Sequence, residues 1–415
     1  MRPPVVTAID LAGEEPRPPR ERLGRLFLRF LRFGLLAWGG PVAQIAMIRK
    51  ELVEEERWVS GERFNRVLAV YQVLPGPEAH ELCVYFGMLS RGRIGGVLAG
   101  LAFMGPGFVL MFALSWFYLN IGLESPLFRA VFAGFQAAVV ALIVRAVHRI
   151  GAHTVHDRRL FGIAAAALVA SLLGVHFAIT LLVAGTVSAL AARQLIAPAL
   201  AVAVLFCAGV LLQTLAGPSA PRGIVDAVPG QQTSEPRGAT APELLASGLK
   251  AGLLTFGGAY TVIPFLQDDA VVAGGWMSNQ QFLDGLALSG ILPAPLIIFS
   301  TFVGYFAGGP LGAVAMTVGI FLPAFALTLL GHKVLERLIG NPSVHAFLDG
   351  VTAGVVGLIA ATTLVLFRAG VTSWQAVVIF ALALAAVYFW RAKIAVAAIV
   401  LGAGLLGLVL FETGA

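Results

Sequence analysis

Long apolar stretches follow one another along this chain, separated by short polar connections. They lie near residues 26–47, 64–89, 94–120, 126–147, 160–174, 176–192 and 196–215, and then near 243–266, 282–306, 310–335, 344–368, 374–390 and 393–411. A helix needs about 20 predominantly apolar residues to cross a bilayer, and a helix satisfies its own backbone groups there. The pattern therefore predicts an all-α polytopic membrane protein with about 13 apolar segments.

The core of this pattern occurs twice. Residues 34–77 align without a gap with residues 252–295, and 15 of the 44 paired positions are identical. The identical positions include two glycine pairs, a tryptophan and two prolines, and the match resumes further along with Gly87 opposite Gly304 and Pro106 opposite Pro323. A duplicated apolar unit with Gly and Pro at matching depths is typical of transporters built from two inverted repeats.

Changes in composition divide the chain into four parts. We expect a disordered cytoplasmic tail over residues 1–25, a first membrane repeat over 26–215, a linker over 216–242 and a second membrane repeat over 243–415. The tail is rich in Pro, Arg and Glu and has no apolar run, so it does not have the pattern of a cleavable signal. The linker is rich in Pro, Gly, Ser and Thr, which is typical of a flexible connection.

Basic residues indicate an orientation for these segments. The positive-inside rule predicts a cytoplasmic N-terminus, with the basic run His148–Arg159 as a cytoplasmic topology determinant. Seven segments in the first half then turn the second repeat upside down and leave the C-terminus outside. The basic loop 48–66 conflicts with this orientation unless the first two segments are re-entrant.

Overall composition agrees with a membrane location. The chain is 58% hydrophobic and only 12% charged, with a mean hydropathy of +0.88, whereas soluble domains have about 25% charged residues. The net charge of +6 is attributed to the positive-inside bias and not to nucleic-acid binding. No nucleotide-binding signature is present in the sequence, so an ion gradient or the membrane potential is the expected driving force.

The candidate chemistry lies where glycine and proline interrupt the apolar segments at matching depths. A helix broken within the membrane presents free N–H groups and the positive end of its dipole to a cavity, which suits an oxyanion. Packing kinks are the alternative explanation for such breaks. The predicted substrate-binding residues are Gly39, Gly40, Gln44, Pro75, Gly76, Glu78, His80, Glu81, Thr255, Gly257, Gly258, Tyr260, Pro293 and Pro295.

Two ordered sets of motifs resemble a known family. The runs Gly39-Gly40-Pro41 and Leu74-Pro75-Gly76-Pro77-Glu78-Ala79 are similar to the first domain of the chromate ion transporter (CHR) family. The runs 255–260 and 319–323 resemble its second domain. The resemblance implies a long-chain, two-domain transporter that exports chromate, with sulfate as a related oxyanion, across the inner membrane. One departure stands out, since the family pattern has two glutamines where this chain has His80 and Glu81.

These acids raise a question of charge, because ionised Glu78 and Glu81 would repel a dianion. Either one of them carries a proton when the anion binds, with His80 able to titrate as well, or one pairs with a base such as Lys250. Lys250 could equally extend its charge to the lipid headgroups.

Two other function classes compete with a transporter, namely an oxyanion channel or membrane sensor and an intramembrane hydrolase. The hydrolase is disfavoured because Val84 stands where a zinc protease motif needs its second histidine. No catalytic residue, metal or cofactor is predicted. The expected partners are an oxyanion and the lipid bilayer, with no nucleic acid, and a homo-oligomer is compatible with the sequence.

Overall fold

The computed structural model describes residues 18–122, 125–215, 238–256, 258–339, 341–390, 392 and 394–412. Most of the predicted tail and linker lies outside these residues, as does Gly257 from the predicted site. Within the described residues the regular secondary structure is helical and no β-strand occurs.

Fifteen α-helices make up the described part of the chain. In the first half they are α1 (Leu23–Leu35), α2 (Gly40–Arg49), α3 (Gly61–Val73), α4 (Glu78–Phe117), α5 (Pro126–Thr154), α6 (Arg158–Leu172), α7 (Phe177–Ala192) and α8 (Ile196–Leu215). In the second half they are α9 (Ala241–Leu253), α10 (Ile263–Gln267), α11 (Asn279–Gly290), α12 (Phe299–Ile339), α13 (Pro342–Gly370), α14 (Trp374–Phe389) and α15 (Ala395–Glu412). Short π-helical segments are Lys50–Glu55, Tyr118–Gly122 and Asp268–Ala273, and short 3₁₀ segments are Ala259–Val262 and Leu296–Ile298.

The helices confirm the predicted polytopic membrane protein. Four stretches are long and apolar enough to cross a bilayer, and α7, α8, α14 and α15 contain shorter apolar runs. Large apolar side chains such as Leu205, Leu311 and Phe389 are more than two-thirds exposed, whereas polar groups such as Gln44 and Glu81 are buried. An apolar exterior around a partly polar interior is the arrangement expected of a protein surrounded by lipid.

Both long helices, α4 and α12, fold back on themselves at a glycine. Gly92 has φ +63° in α4 and Gly309 has φ +63° in α12, a left-handed conformation that favours glycine. The two limbs of α4 approach so closely that a Cβ built on Gly87 would lie 2.4 Å from the carbonyl oxygen of Gly95. In α12 the same construction on Gly304 gives 2.3 Å to the carbonyl oxygen of Gly312. Each helix is thus a tight hairpin of two limbs, and the breaks fall where the apolar pattern separates segments.

The first helix of each repeat packs against the second limb of its hairpin through a glycine. A Cβ built on Gly34 of α1 would lie 2.4 Å from the carbonyl oxygen of Phe103, and one on Gly252 of α9 would lie 2.4 Å from that of Ile320. Gly34 and Gly252 are paired in the sequence alignment. The internal repeat is therefore visible in backbone packing as well as in sequence.

An ion pair is duplicated in the same way. In the first repeat Arg32 pairs with Glu51. Lys250 and Asp269, at the equivalent positions of the second repeat, form the matching pair. Each pair joins the first helix of a repeat to the π-helical segment beyond the glycine break, so it closes the loop that contains the break. Lys250 is therefore paired with Asp269, and the structure does not place it against Glu78 or Glu81.

The two halves interlock. Helix α13 of the second half packs against α5, α6 and α7 of the first, and α5 packs in turn against α14 and α15. The hairpins α4 and α12 also contact each other. Helices α1 to α7 follow the same order as α9 to α15, and within the described residues α8 is an additional helix of the first half.

Candidate functional site

Two neighbouring cavities lie where the halves meet. The larger has a volume of about 470 Å³ and is lined by residues of α2, α3, α4, α5 and α13 and by the start of the 3₁₀ segment at Ala259. The smaller has a volume of about 260 Å³. The cavities share part of their walls, formed by Pro41, Ala146, Arg149 and Tyr260. Both repeats therefore contribute to the same internal space.

The glycine break of the first repeat opens onto this space. Gly39 and Gly40 have φ +89° and +75°, so the helical path is interrupted, and a new helix, α2, starts at Gly40 with Pro41 in its first turn. Gly39 and Gly40 line the smaller cavity and Pro41 lines both. The first N–H groups of a helix have no partner within the helix, and they carry the positive end of its dipole. The wall at the start of α2 is therefore suited to a negatively charged ligand.

The glycine break of the second repeat lines the same space. Gly258 has φ +119° and lines the larger cavity together with Ala259 and Tyr260. A Cβ built on either Gly40 or Gly258 would meet no atom within 4 Å. Side chains at these two positions would therefore project into open space.

The Pro-Gly-Pro break connects the two repeats through the backbone. The N–H of Gly76 donates a hydrogen bond of 2.9 Å to the carbonyl oxygen of Thr255. Helix α4 then begins at Glu78, whose side chain lines the larger cavity although the residue is only 8% exposed. Its Oε2 atom is buried without a hydrogen-bond partner in the described part of the chain. Glu78 is thus a carboxyl group at the cavity wall that is available to a ligand or a proton.

His80 and Glu81 take a different position from Glu78. Both are fully buried and neither lines the two cavities. The His80 ring packs between Phe321 and Phe325 of α12, with centroid distances of 5.0 and 4.7 Å. The ring nitrogens of His80 and the carboxyl oxygens of Glu81 have no hydrogen-bond partner among the described residues. His80 therefore belongs to the contact between the hairpins, whereas Glu81 lies beside the Pro-Gly-Pro break, where a Cβ built on Gly76 would be 2.9 Å from its Oε1 atom.

The remaining predicted residues lie outside the lining of both cavities, and two of them make hydrogen bonds near the breaks. The Gln44 side-chain amide donates a hydrogen bond of 2.9 Å to the carbonyl oxygen of Ala37. The Thr255 hydroxyl donates a hydrogen bond to the carbonyl oxygen of Ala251. The predicted residues that line the cavities are Gly39, Gly40, Glu78, Gly258 and Tyr260. Those that line neither cavity are Gln44, Pro75, Gly76, His80, Glu81, Thr255, Pro293 and Pro295.

Arg149 is a cavity residue that the sequence pattern did not single out. The pattern predicts a basic loop there, but α5 continues to Thr154, so Arg149 lies on the helix and lines both cavities. Arg145, one turn earlier, lines the smaller cavity and lies over the ring of Tyr388 at 4.7 Å. His153, one turn later, lines the larger cavity. These bases are spaced four residues apart in the sequence, and this spacing indicates that they share one face of a helix.

A second polar cluster is also absent from the predicted site, and it lies apart from the cavities. Asp284 of α11 is buried and accepts hydrogen bonds from the Tyr118 hydroxyl at 2.7 Å and from the Gln136 amide at 2.8 Å. Its two oxygens are thereby satisfied, and the cluster links the first repeat to the second. Within the described residues, no group of three or more His, Cys, Asp or Glu side chains is arranged to hold a metal ion.

The duplicated helical architecture, with broken helices from both repeats around a shared internal cavity, defines a membrane transport protein. The chain belongs to the chromate transporter family, because the family model described as "Chromate transporter" matches residues 24–210 and 242–408.

Relatives across several organisms agree with this assignment. The chain is 56% identical to the "Chromate transport protein" of Pseudomonas aeruginosa over 96% of this chain and 95% of that protein. It is 30% identical to the "Chromate transport protein" of Cupriavidus metallidurans over 99% of this chain and 98% of that protein. It is also 27% identical to an uncharacterized transporter of Methanocaldococcus jannaschii, over 86% and 87% of the two chains. No solved structure matches this chain.

Proposed function

We propose that this protein is a secondary transporter that exports chromate, or a related oxyanion such as sulfate, across the inner membrane by alternating access. The observation that carries the proposal is the position of Arg149, which lies in the same cavity as the helix breaks of both repeats. A guanidinium that lines the same cavity as a helix N-terminus provides the charge and the hydrogen-bond donors that a tetrahedral oxyanion requires.

The choice of chromate rests on the names of the relatives from Pseudomonas aeruginosa and Cupriavidus metallidurans, each of which covers nearly the whole chain. The choice of export rests on the membrane potential. An interior that is negative favours the exit of an anion by about 2.3 kcal/mol per charge per 100 mV. The choice of alternating access rests on the repeats, since both contribute a break to one cavity and could move relative to each other around it.

Uptake into everted membrane vesicles tests the proposal. Vesicles that contain the full chain should accumulate radiolabelled chromate above the external concentration when the lumen is made electrically positive. Vesicles without the protein should not accumulate it, and unlabelled sulfate should compete if the site accepts related oxyanions. Because a channel also equilibrates an anion with the membrane potential, counterflow separates the two classes: unlabelled chromate inside the vesicles should accelerate uptake of the label by a transporter, and no acceleration would support the channel alternative. The absence of any oxyanion flux would contradict the proposed function.

The proposed orientation gives a separate prediction. With the first repeat entering from the cytoplasm and α8 returning the chain to the other side, the two repeats are inverted and the C-terminus lies outside. Reporter fusions after Arg159 and after Glu412 should therefore report opposite sides of the membrane. Activity of both fusions in the same compartment would contradict an inverted arrangement.

A further inference from the structure

The charges around the larger cavity do not suit a dianion while Glu78 is ionised. Arg149 is the only Arg or Lys among the described residues that line it. The titratable groups that face the cavity are Glu78 from α4, Arg149 and His153 from α5, His156 from the following loop, Tyr260 from the 3₁₀ segment and Asp349 from α13. With both histidines neutral, two carboxylates outnumber one guanidinium, so the cavity would repel a dianion.

The two carboxyl groups differ in their surroundings. The side chain of Asp349 is 38% exposed and lies 3.8 Å from the imidazole of His345. Glu78 is 8% exposed, and its Oε2 atom is buried without a hydrogen-bond partner in the described residues. A charge on Glu78 is therefore poorly screened by solvent, and of the two acids it acts more strongly on a bound anion.

We propose that Glu78 and Arg149 form a proton-linked anion site, in which one oxyanion and one proton bind together. When the proton is on Glu78, the negative charge disappears and the group becomes an O–H donor toward an anion oxygen. When the proton leaves, Glu78 competes with the anion for Arg149. This inference rests on the proposed function and specifies how its site is coupled.

Thermodynamic linkage between proton binding and anion binding determines whether the affinity for the anion rises or falls with pH. If anion binding favours protonation of Glu78, then protonation favours anion binding by the same factor. Affinity for a dianion should therefore rise as the pH falls through the titration of Glu78, by about tenfold per pH unit where one proton is taken up per anion. Below that range, where Glu78 is already protonated, the affinity should no longer depend on its titration.

The same coupling fixes the effect of a pH gradient on transport. The proton and the anion travel in the same direction, so a dianion exported with one proton carries one net negative charge outward. An acidic outer side should then oppose export, whereas it would drive export by an anion–proton exchanger. In everted vesicles at a fixed membrane potential, each decrease of one pH unit in the lumen should lower the ratio of lumenal to external dianion by about tenfold.

Binding of radiolabelled sulfate to the purified full chain is the direct test, because sulfate remains a dianion throughout the pH range of interest. Calorimetry in buffers of different ionisation enthalpy should show the uptake of one proton per sulfate. Glu78→Gln should bind sulfate with an affinity that no longer follows the wild-type pH profile, and without proton uptake. Glu62→Gln, in which the altered acid is exposed on α3 and lines neither cavity, should keep the wild-type pH profile.

The histidines at the cavity provide the decisive comparison, because their protonation would also add positive charge at low pH. A pH profile that persists in Glu78→Gln and disappears in a His153→Gln/His156→Gln double variant would overturn the assignment to Glu78. Sulfate binding by the wild type without proton uptake at every pH tested would also overturn it. If the wild type neither binds nor transports sulfate or chromate, the proposed function itself fails.

Discussion

Replacement of Arg149 by glutamine is expected to abolish oxyanion transport while the protein still reaches the membrane. The substitution removes the fixed positive charge of the larger cavity and leaves Glu78 as an uncompensated acid in its wall. Hydrogen bonds to charged groups contribute about 1.5–3 kcal/mol, which corresponds to a loss of affinity of roughly 10- to 150-fold. Chromate accumulation in everted vesicles, normalised to the amount of protein in the membrane, measures the effect.

Two further variants separate the charge of Arg149 from its packing. Arg149→Lys retains the charge but cannot form the bidentate contact of a guanidinium, so partial activity is expected. Arg129→Gln removes one positive charge from an exposed position at the start of the same helix, away from both cavities, and should transport normally. Wild-type transport by Arg149→Gln would show that the cavity is not the anion site.

The second large loss of transport is expected when a bulky side chain replaces a glycine at either helix break. Gly40→Leu and Gly258→Leu should each eliminate transport, because the new side chain would project into the open space in which we place the anion. The backbone angles add a conformational cost, since φ values of +75° and +119° are poorly suited to a leucine. The level of protein in the membrane and chromate accumulation should be measured together.

Matched glycine variants distinguish a blocked site from a strained backbone. Gly275 has φ +59° and is exposed, and a Cβ built on it would meet no atom within 4 Å, but it lies outside both cavities. Gly275→Leu should therefore retain transport despite a left-handed backbone at that position. Gly162→Leu, on an exposed face of α6, controls for added bulk alone. Full activity in both break variants would leave only the packing-kink explanation.

The sequence was sufficient to predict the helical membrane class and the duplication, because hydropathy and matching glycines report directly on segments and on close packing. The predicted boundary between segments near residues 89 and 94 corresponds to the hairpin turn at Gly92. The predicted break at Gly39 and Gly40 likewise corresponds to left-handed backbone at a cavity wall. Local signals of this kind need no knowledge of the partner helix.

Side-chain placement was less predictable, because it depends on which helices meet. The apolar run ends near residue 147, which favours a loop at Arg149, yet α5 extends two turns further and carries the base into the cavity. His80 follows Glu78 closely in sequence, but its ring packs against α12, and Glu81 likewise does not line either cavity. The partner of Lys250 was also not evident, because Asp269 lies beyond the break.

The glycine hairpins have a consequence for how the chain is assembled during synthesis. The first limb of α4 runs from Glu78 to Ser90, and at 1.5 Å per residue it is about 20 Å long, well short of the roughly 30 Å hydrocarbon layer. This limb also carries three ionisable side chains in its first turn, so the insertion machinery should not accept it by itself. We expect it to enter the bilayer only after its longer partner limb has left the ribosome, with the Gly92 turn leading. The order of synthesis would thereby make the two limbs a single unit of insertion. The first limb of the hairpin around Gly309, residues 299–308, contains no Asp, Glu, Lys, Arg or His, so only the argument from length extends to it.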